Sequence, residues 1–256
     1  MPALVIAMLI CLGMLGWPPA ASAASVVKIA SDDWCPYICA DQSRIIGGYL
    51  VELTDQALNS QGYQVEAIFL PLNRAMKMAE EGVIDGIYAP ALDQRLLLSK
   101  PMAYSRACFY TLKDSNWRYH GLPSLAHQSL GLIADYGYDG GAFDDWLLTA
   151  KAQGFHIESN IGQTAGSTNI KKLLLKRYSV LLEHETVMNH LIAVMRVDGS
   201  LRKAGCLEQA LTIVIGVGRS NPNAHALVRA INTGLETIRA SGQLDGLKTK
   251  YKISTE

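Results

Sequence analysis

Short β-rich runs alternate with segments of helical period along most of this 256-residue chain, and few architectures accept that order. Residues 26–30 read as a strand. Residues 49–60 follow with Leu50, Leu53, Ala57 and Leu58 at helical spacing, and Gly62 ends the pattern. Residues 65–70 read as strand, 73–81 as helix stopped by Gly82, and 84–88 as strand again. Such a βαβαβ order requires a largely parallel sheet with helices on its faces. A second series begins near Ala107. Strands are expected at 108–112, 130–134, 155–158 and 179–182. Helices are expected at 142–153, where Phe143, Trp146 and Leu147 share a side, and at 169–176 and 183–196. Residues 211–217 form an isolated apolar strand, and helices at 223–240 and 244–251 close the chain around Gly242. No fixed-period repeat or low-complexity linker separates the two α/β units, so strands are expected to join them.

The N-terminus carries a different signal. The first charged residue is Lys28, and residues 3–15 are almost purely apolar. That run is shorter than the roughly 20 residues a membrane-spanning helix needs. Pro18, Pro19 and the small residues Ala21 to Ala24 follow it, as at a signal-peptidase site, although no basic n-region precedes it. Residues 1–24 are therefore read as a signal peptide and the remainder as an exported chain. Cys11 lacks the small residues that precede a lipidated cysteine. Lys and Arg together number 23, as do Asp and Glu, and no basic stripe marks a nucleic-acid surface. Of five cysteines, Cys35, Cys39, Cys108 and Cys206 survive cleavage, and an even number in an exported chain favours disulfides. Three pairings are open. The local one, Cys35–Cys39 across the turn at Pro36, leaves Cys108–Cys206. The Cys35 to Cys39 spacing is too long for a C-x-x-C metal knuckle, so no metal is expected.

Several short motifs, in order, resemble the type II periplasmic solute-binding proteins, specifically the family that serves amino-acid transporters. They are D-D-W-C-P-Y at 32–37, G-G-Y-L-V-E-L at 47–53, P-L-N-R-A-M at 71–76 and G-V-I-D-G-I at 82–87. Asp93-Gln94-Arg95 is similar to the family's T-x-x-R segment without its Thr. S-K-P-M-A-Y at 99–104 is similar to F-S-x-P-Y, and 241–251 to the closing helix. The resemblance implies a two-lobed α/β fold, each lobe a mixed, mostly parallel sheet flanked by helices. Lobe 1 would take residues 25–106 plus 213–256 and lobe 2 residues 107–212. Two crossing strands, near 105–108 and 211–216, would form the hinge. It also implies a periplasmic monomer that captures an amino acid or related carboxylate and hands it to an ABC-transporter permease, with no cofactor.

The resemblance places a ligand-carboxylate clamp at Arg95, whose planar guanidinium would match both oxygens. The bland alternative is a surface Arg paired with Asp93. Arg74, at a helix start where a cation is disfavoured, would take a ligand anion or tie the helix to Glu52 or Asp55. Trp34, Tyr37 and Tyr88 could cover an apolar or cationic part of the ligand, or simply pack. Tyr138 and Asp139 sit in G-Y-D-G-G at 137–141, where glycines and the N–H groups of the next helix would approach a ligand, or form an ordinary turn. Glu183 and His184 fall where relatives that bind α-amino acids have an ammonium-holding Asp. That departure puts a standard α-amino acid in question. Catalytic signatures are set aside: His184-Glu185 with His190 is not H-E-x-x-H, Asn221 breaks a dinucleotide fingerprint, and no G-x-S-x-G occurs. The competing readings are an exported prephenate or arogenate dehydratase on the same fold, with Glu183 or His184 as acid, and an orphan sensory binding protein.

Overall fold

A computed structural model describes residues 25–253. The signal peptide expected at residues 1–24 lies outside them. The first series runs β1 (Ser25–Ser31), β2 (Cys39–Asp41), β3 (Arg44–Gly47), α1 (Tyr49–Asn59), β4 (Tyr63–Phe69) and α2 (Leu72–Glu80). It ends with β5 (Gly86–Tyr88), β6 (Leu96–Leu98) and β7 (Ala103–Ser105). The second runs β8 (Ala107–Leu112), β9 (Ser129–Ile133), α3 (Ala142–Ala150), β10 (His156–Asn160), α4 (Ala165–Leu174), β11 (Val180–His184), α5 (Glu185–Met195) and β12 (Leu201–Cys206). The chain then returns through β13 (Leu211–Ile213) and β14 (Ile215–Gly218) to α6 (Ala224–Ala240) and α7 (Gln243–Tyr251).

Two five-stranded sheets result, ordered β4-β1-β5-β14-β6 and β10-β9-β11-β8-β12. In the first, β1 pairs in parallel with β4 and β5, and β14 runs antiparallel to β5 and β6. In the second, β9 is parallel to β10 and β11, while β8 is antiparallel to β11 and β12. Both sheets are thus parallel where helices cross over and antiparallel where the chain enters or leaves. Between them a two-stranded ribbon pairs Ser105 with Leu211 and Ala103 with Ile213.

Each sheet buries both faces. The helical stripe of α1 (Leu50, Leu53, Ala57 and Leu58) packs with Leu227, Ile231 and Leu235 of α6 on one face of the first sheet. Each buried Leu contributes roughly 1.5–3 kcal/mol relative to exposure. Gly234 allows the two helices to touch, because a Cβ there would lie 2.2 Å from the Ala57 carbonyl oxygen. On the opposite face Ala75 and Ala79 of α2 meet Ile87 and Leu96. The second sheet is enclosed by Phe143 of α3 on one side and by Ile170, Leu173 and Met188 of α4 and α5 on the other.

Two expectations are corrected. Residues 211–217 are not one isolated strand: the run breaks at Val214, its first half pairing with β7 and its second with β5 and β6. The helix expected from 183 starts at Glu185, because β11 continues its ladder with β8 through Glu183↔Cys108 and His184↔Ala107. The disulfides are Cys35–Cys39 and Cys108–Cys206, the second joining register partners on β8 and β12. Glu185, Cys108 and Cys206 form the one close His/Cys/Asp/Glu cluster of metal-site dimensions among the described residues, and its two sulfurs are bonded to each other. No helix among the described residues is long and apolar enough to cross a membrane.

Candidate functional site

Parallel strands deliver their C-terminal ends to one edge of each sheet, and these edges face one another. A cleft of about 750 Å³ lies between them. Asp32 and Trp34 follow β1, Ala89 to Leu92 follow β5, Ala134 to Gly137 follow β9, and one side of α3 completes the wall. This is where α/β sheets bind ligands, because loops there are free of the ladder. Two lining residues that are not glycine hold left-handed backbones, Ala89 at φ 47° and Asp135 at φ 64°. Ala89 stands just beyond the parallel strand β5 and Asp135 just beyond the parallel strand β9. Such conformations cost of order 1–3 kcal/mol each and concentrate at functional sites.

The floor is aromatic. Trp34 stacks on Tyr37 at 4.6 Å between ring centroids and meets the His184 ring edge-on at 5.1 Å. On its other side His184 lies parallel to Tyr138 at 5.8 Å. Tyr37, Tyr138 and His184 are wholly buried, and Trp34 is 6% exposed with its indole N–H lacking an acceptor. The His184 Nε2 sits 3.0 Å from the Gly137 carbonyl oxygen, which can only accept, so Nε2 carries the proton. Burial pushes the His184 imidazolium down to about 4, leaving the ring neutral at physiological pH. Beside it Glu183 accepts the His184 backbone N–H at 2.8 Å, has no partner for Oε2, and is pushed up to about 7 by burial.

Above this floor the cleft is acidic. Asp32 enters from the first sheet and accepts the Tyr136 hydroxyl at 3.3 Å; burial raises its pKa to about 6. Asp135 accepts from Asn73 Nδ2 at 2.7 Å. Both bonds join the two sides of the cleft. Asp144 accepts the backbone N–H groups of Tyr138 at 3.0 Å and Gly140 at 2.8 Å. Asp139 accepts those of Gly141 at 2.8 Å and Phe143 at 3.0 Å. Asp139 thus satisfies N-terminal donors of α3, which were expected to be offered to a ligand, while Asp144 folds back onto the loop before it. Gly140, at φ 66°, makes that tight self-capped loop possible.

Of the residues singled out from sequence, Trp34 lines the cleft. Tyr37, Tyr138, Glu183 and His184 are brought together beneath it, and Asp139 caps the α3 loop. Tyr88 is wholly buried in the first sheet's core. Arg74 is exposed and lies outside the cleft lining. Arg95 lies in an adjoining hollow. Its guanidinium is already matched by Asp93, with Nη2–Oδ2 at 2.6 Å, and by Glu80 at 2.5 Å across from α2. An Arg forked onto two carboxylates is not presented to a third. Sequence reasoning passed over Asp32, Asp135, Tyr136, Asp144 and Asp145, although Asp32 and Asp135 stand just past strands already recognised.

The fold and the cleft define a two-lobed ligand-binding protein. The chain belongs to the bacterial extracellular solute-binding proteins, family 3, whose profile matches residues 27–254. Its structure is similar to a histidine kinase sensor domain resembling periplasmic binding proteins (17% identity, TM-score 0.74, covering 90% of this chain and 96% of that one). It is also similar to an ancestral arginine-binding protein bound to arginine (15%, 0.73, 90% and 99%). A third neighbour is the amino acid ABC transporter substrate-binding protein AbpA of Streptococcus pneumoniae bound to L-arginine (15%, 0.69, 90% and 97%). At these identities the likeness establishes the fold. No curated protein matches the sequence.

Proposed function

We propose that this protein is an exported receptor that captures a small nitrogenous solute between its lobes and presents it to an ABC-type permease. The observation that carries the reading is the cleft of about 750 Å³, lined from both sheets at the ends of their parallel strands. Two of the neighbours are described as bound to arginine, which supports a ligand of amino-acid size. Residues 25–106 with 213–256 and residues 107–212 act as the moving lobes, and the ribbon of Ser105 with Leu211 is the hinge. The protein works as a periplasmic monomer after loss of residues 1–24. A dehydratase is disfavoured, because Glu183 and His184 lie under the aromatic floor rather than on the cleft surface. The sensor-domain neighbour supports a second reading, delivery to a signalling receptor instead of a permease.

Thermal-shift screening of amino acids, amines and small organic acids tests the receptor. A ligand at 100 times its Kd should add about 2.7 kcal/mol of stability, and small-angle scattering should show a smaller radius of gyration with that ligand. A saturated complex of unchanged dimensions would oppose the closing receptor.

A further inference from the structure

We infer that the cleft selects an organic cation, an amine or guanidinium on an apolar body that bears no carboxylate on the adjacent carbon. The inference rests on the cleft being the ligand site. Asp32 reaches it from one side, and Asp135, Asp144 and Asp145 from the other. Among the described residues, Lys151 is the one cation lining it. Lys151 lies seven residues beyond Asp144 along α3, about 10 Å at the helical rise. An α-amino acid carries both charges on one carbon. With its ammonium among these aspartates, its carboxylate would lie among them too, with Lys151 as the one countercharge on the lining.

The other usual anion partners are occupied. The N–H groups of Gly141 and Phe143 at the opening of α3 are held by Asp139. The Asp32 carboxylate stands beside the backbone of Leu72, which opens α2. Arg95 is forked onto Asp93 and Glu80. Protein carboxylates thus stand at both helix starts facing the cleft, where a ligand carboxylate would need to bind. The remaining wall is apolar, with Leu92, Leu132, Leu147, Ile157 and Leu211. Trp34 also lines it, more than nine-tenths buried, with an indole N–H that has no acceptor.

Titration calorimetry on the full mature chain, with amines paired against their parent amino acids, tests this: agmatine against L-arginine, cadaverine against L-lysine, tyramine against L-tyrosine. At least one amine should bind about tenfold or more tighter than its parent, since a desolvated like-charge contact is removed. The exposed Asp145→Asn and the deeper Asp32→Asn should each weaken that amine about fivefold or more. Asp145→Asn guards against a folding artefact, because its side chain is not part of the core. An amino acid that binds as tightly as its amine, and loses affinity in Trp34→Ala, overturns the cation selectivity and leaves the receptor standing. Failure of every amine and every amino acid to bind counts against the cation and the receptor together.

Discussion

Glu183→Gln should convert a pH-dependent weakness in the fold into a pH-independent one. Glu183 is wholly buried beside neutral His184, and burial raises its pKa from 4.5 to about 7. Folded chains therefore hold a proton that unfolded chains release. The stability this contributes is complete below pH 4.5 and is lost as pH rises through about 7. At 1.36 kcal/mol per pH unit, the loss is about 3 kcal/mol by pH 8. The amide of the variant cannot ionise and keeps an acceptor oxygen for the His184 N–H. The stability of the variant relative to wild type should then increase by about 3 kcal/mol between pH 4.5 and pH 8. Comparing the two proteins matters because His184 acts oppositely. Its pKa falls from 6.5 to about 4, so it adds stability above pH 6.5 that disappears toward pH 4. In wild type the Glu183 and His184 contributions largely offset each other between these limits, and the difference between the two proteins cancels the His184 contribution. Urea unfolding at half-unit pH steps measures it. A variant-minus-wild-type difference constant across the range would mean that Glu183 is not held protonated under the floor.

Arg95→Ala should leave ligand affinity within about twofold, since the guanidinium is committed to neighbouring carboxylates; calorimetry with an identified ligand checks it, and a loss of a hundredfold would restore the clamp. Gly234→Ala should destabilise the chain by about 1–3 kcal/mol, because backbone must move where α6 meets α1; a chemical-denaturation midpoint at or above wild type would refute that contact. Replacing both Cys108 and Cys206 with Ala should cost about 2–5 kcal/mol, as loss of a disulfide closing a long loop generally does. Peptide mapping of the unreduced protein should first recover that pair and Cys35–Cys39, and free thiols at these positions would contradict the pairing.

The elements that could be read from sequence are those whose own residues carry the signal. The α1 stripe of Leu50, Leu53, Ala57 and Leu58 is periodic and fully buried. The three-residue strands β6 and β7 have no such pattern, and they exist because β14 and β13, far along the chain, supply their hydrogen bonds. The break at Val214 was equally invisible, since Ile213 and Ile215 beside it are apolar alike while the change is in the partner strand. The pairing of Arg95 was hidden for the same reason. Asp93 was an evident neighbour, but Glu80 reaches Arg95 only after α2 has docked. Tyr37 and Tyr88 lie near the cleft in sequence logic, yet lie inside the core, because an aromatic after a strand can turn under the sheet as easily as over it. Asp32 and Asp135 were accessible to the rule that ligands bind past strand ends. They were overlooked because a carboxylate-bearing ligand directs attention to arginines.

Hydrogen–deuterium exchange with and without a saturating ligand, agmatine first, tests most directly that the cleft is the binding site of a closing receptor. The account predicts new protection on both sides at once, at residues 31–34 and 89–92 and at residues 132–148, together with the Ser105 and Leu211 ribbon. Protection confined to one side, or absent from the aspartate segments while appearing elsewhere, would contradict it.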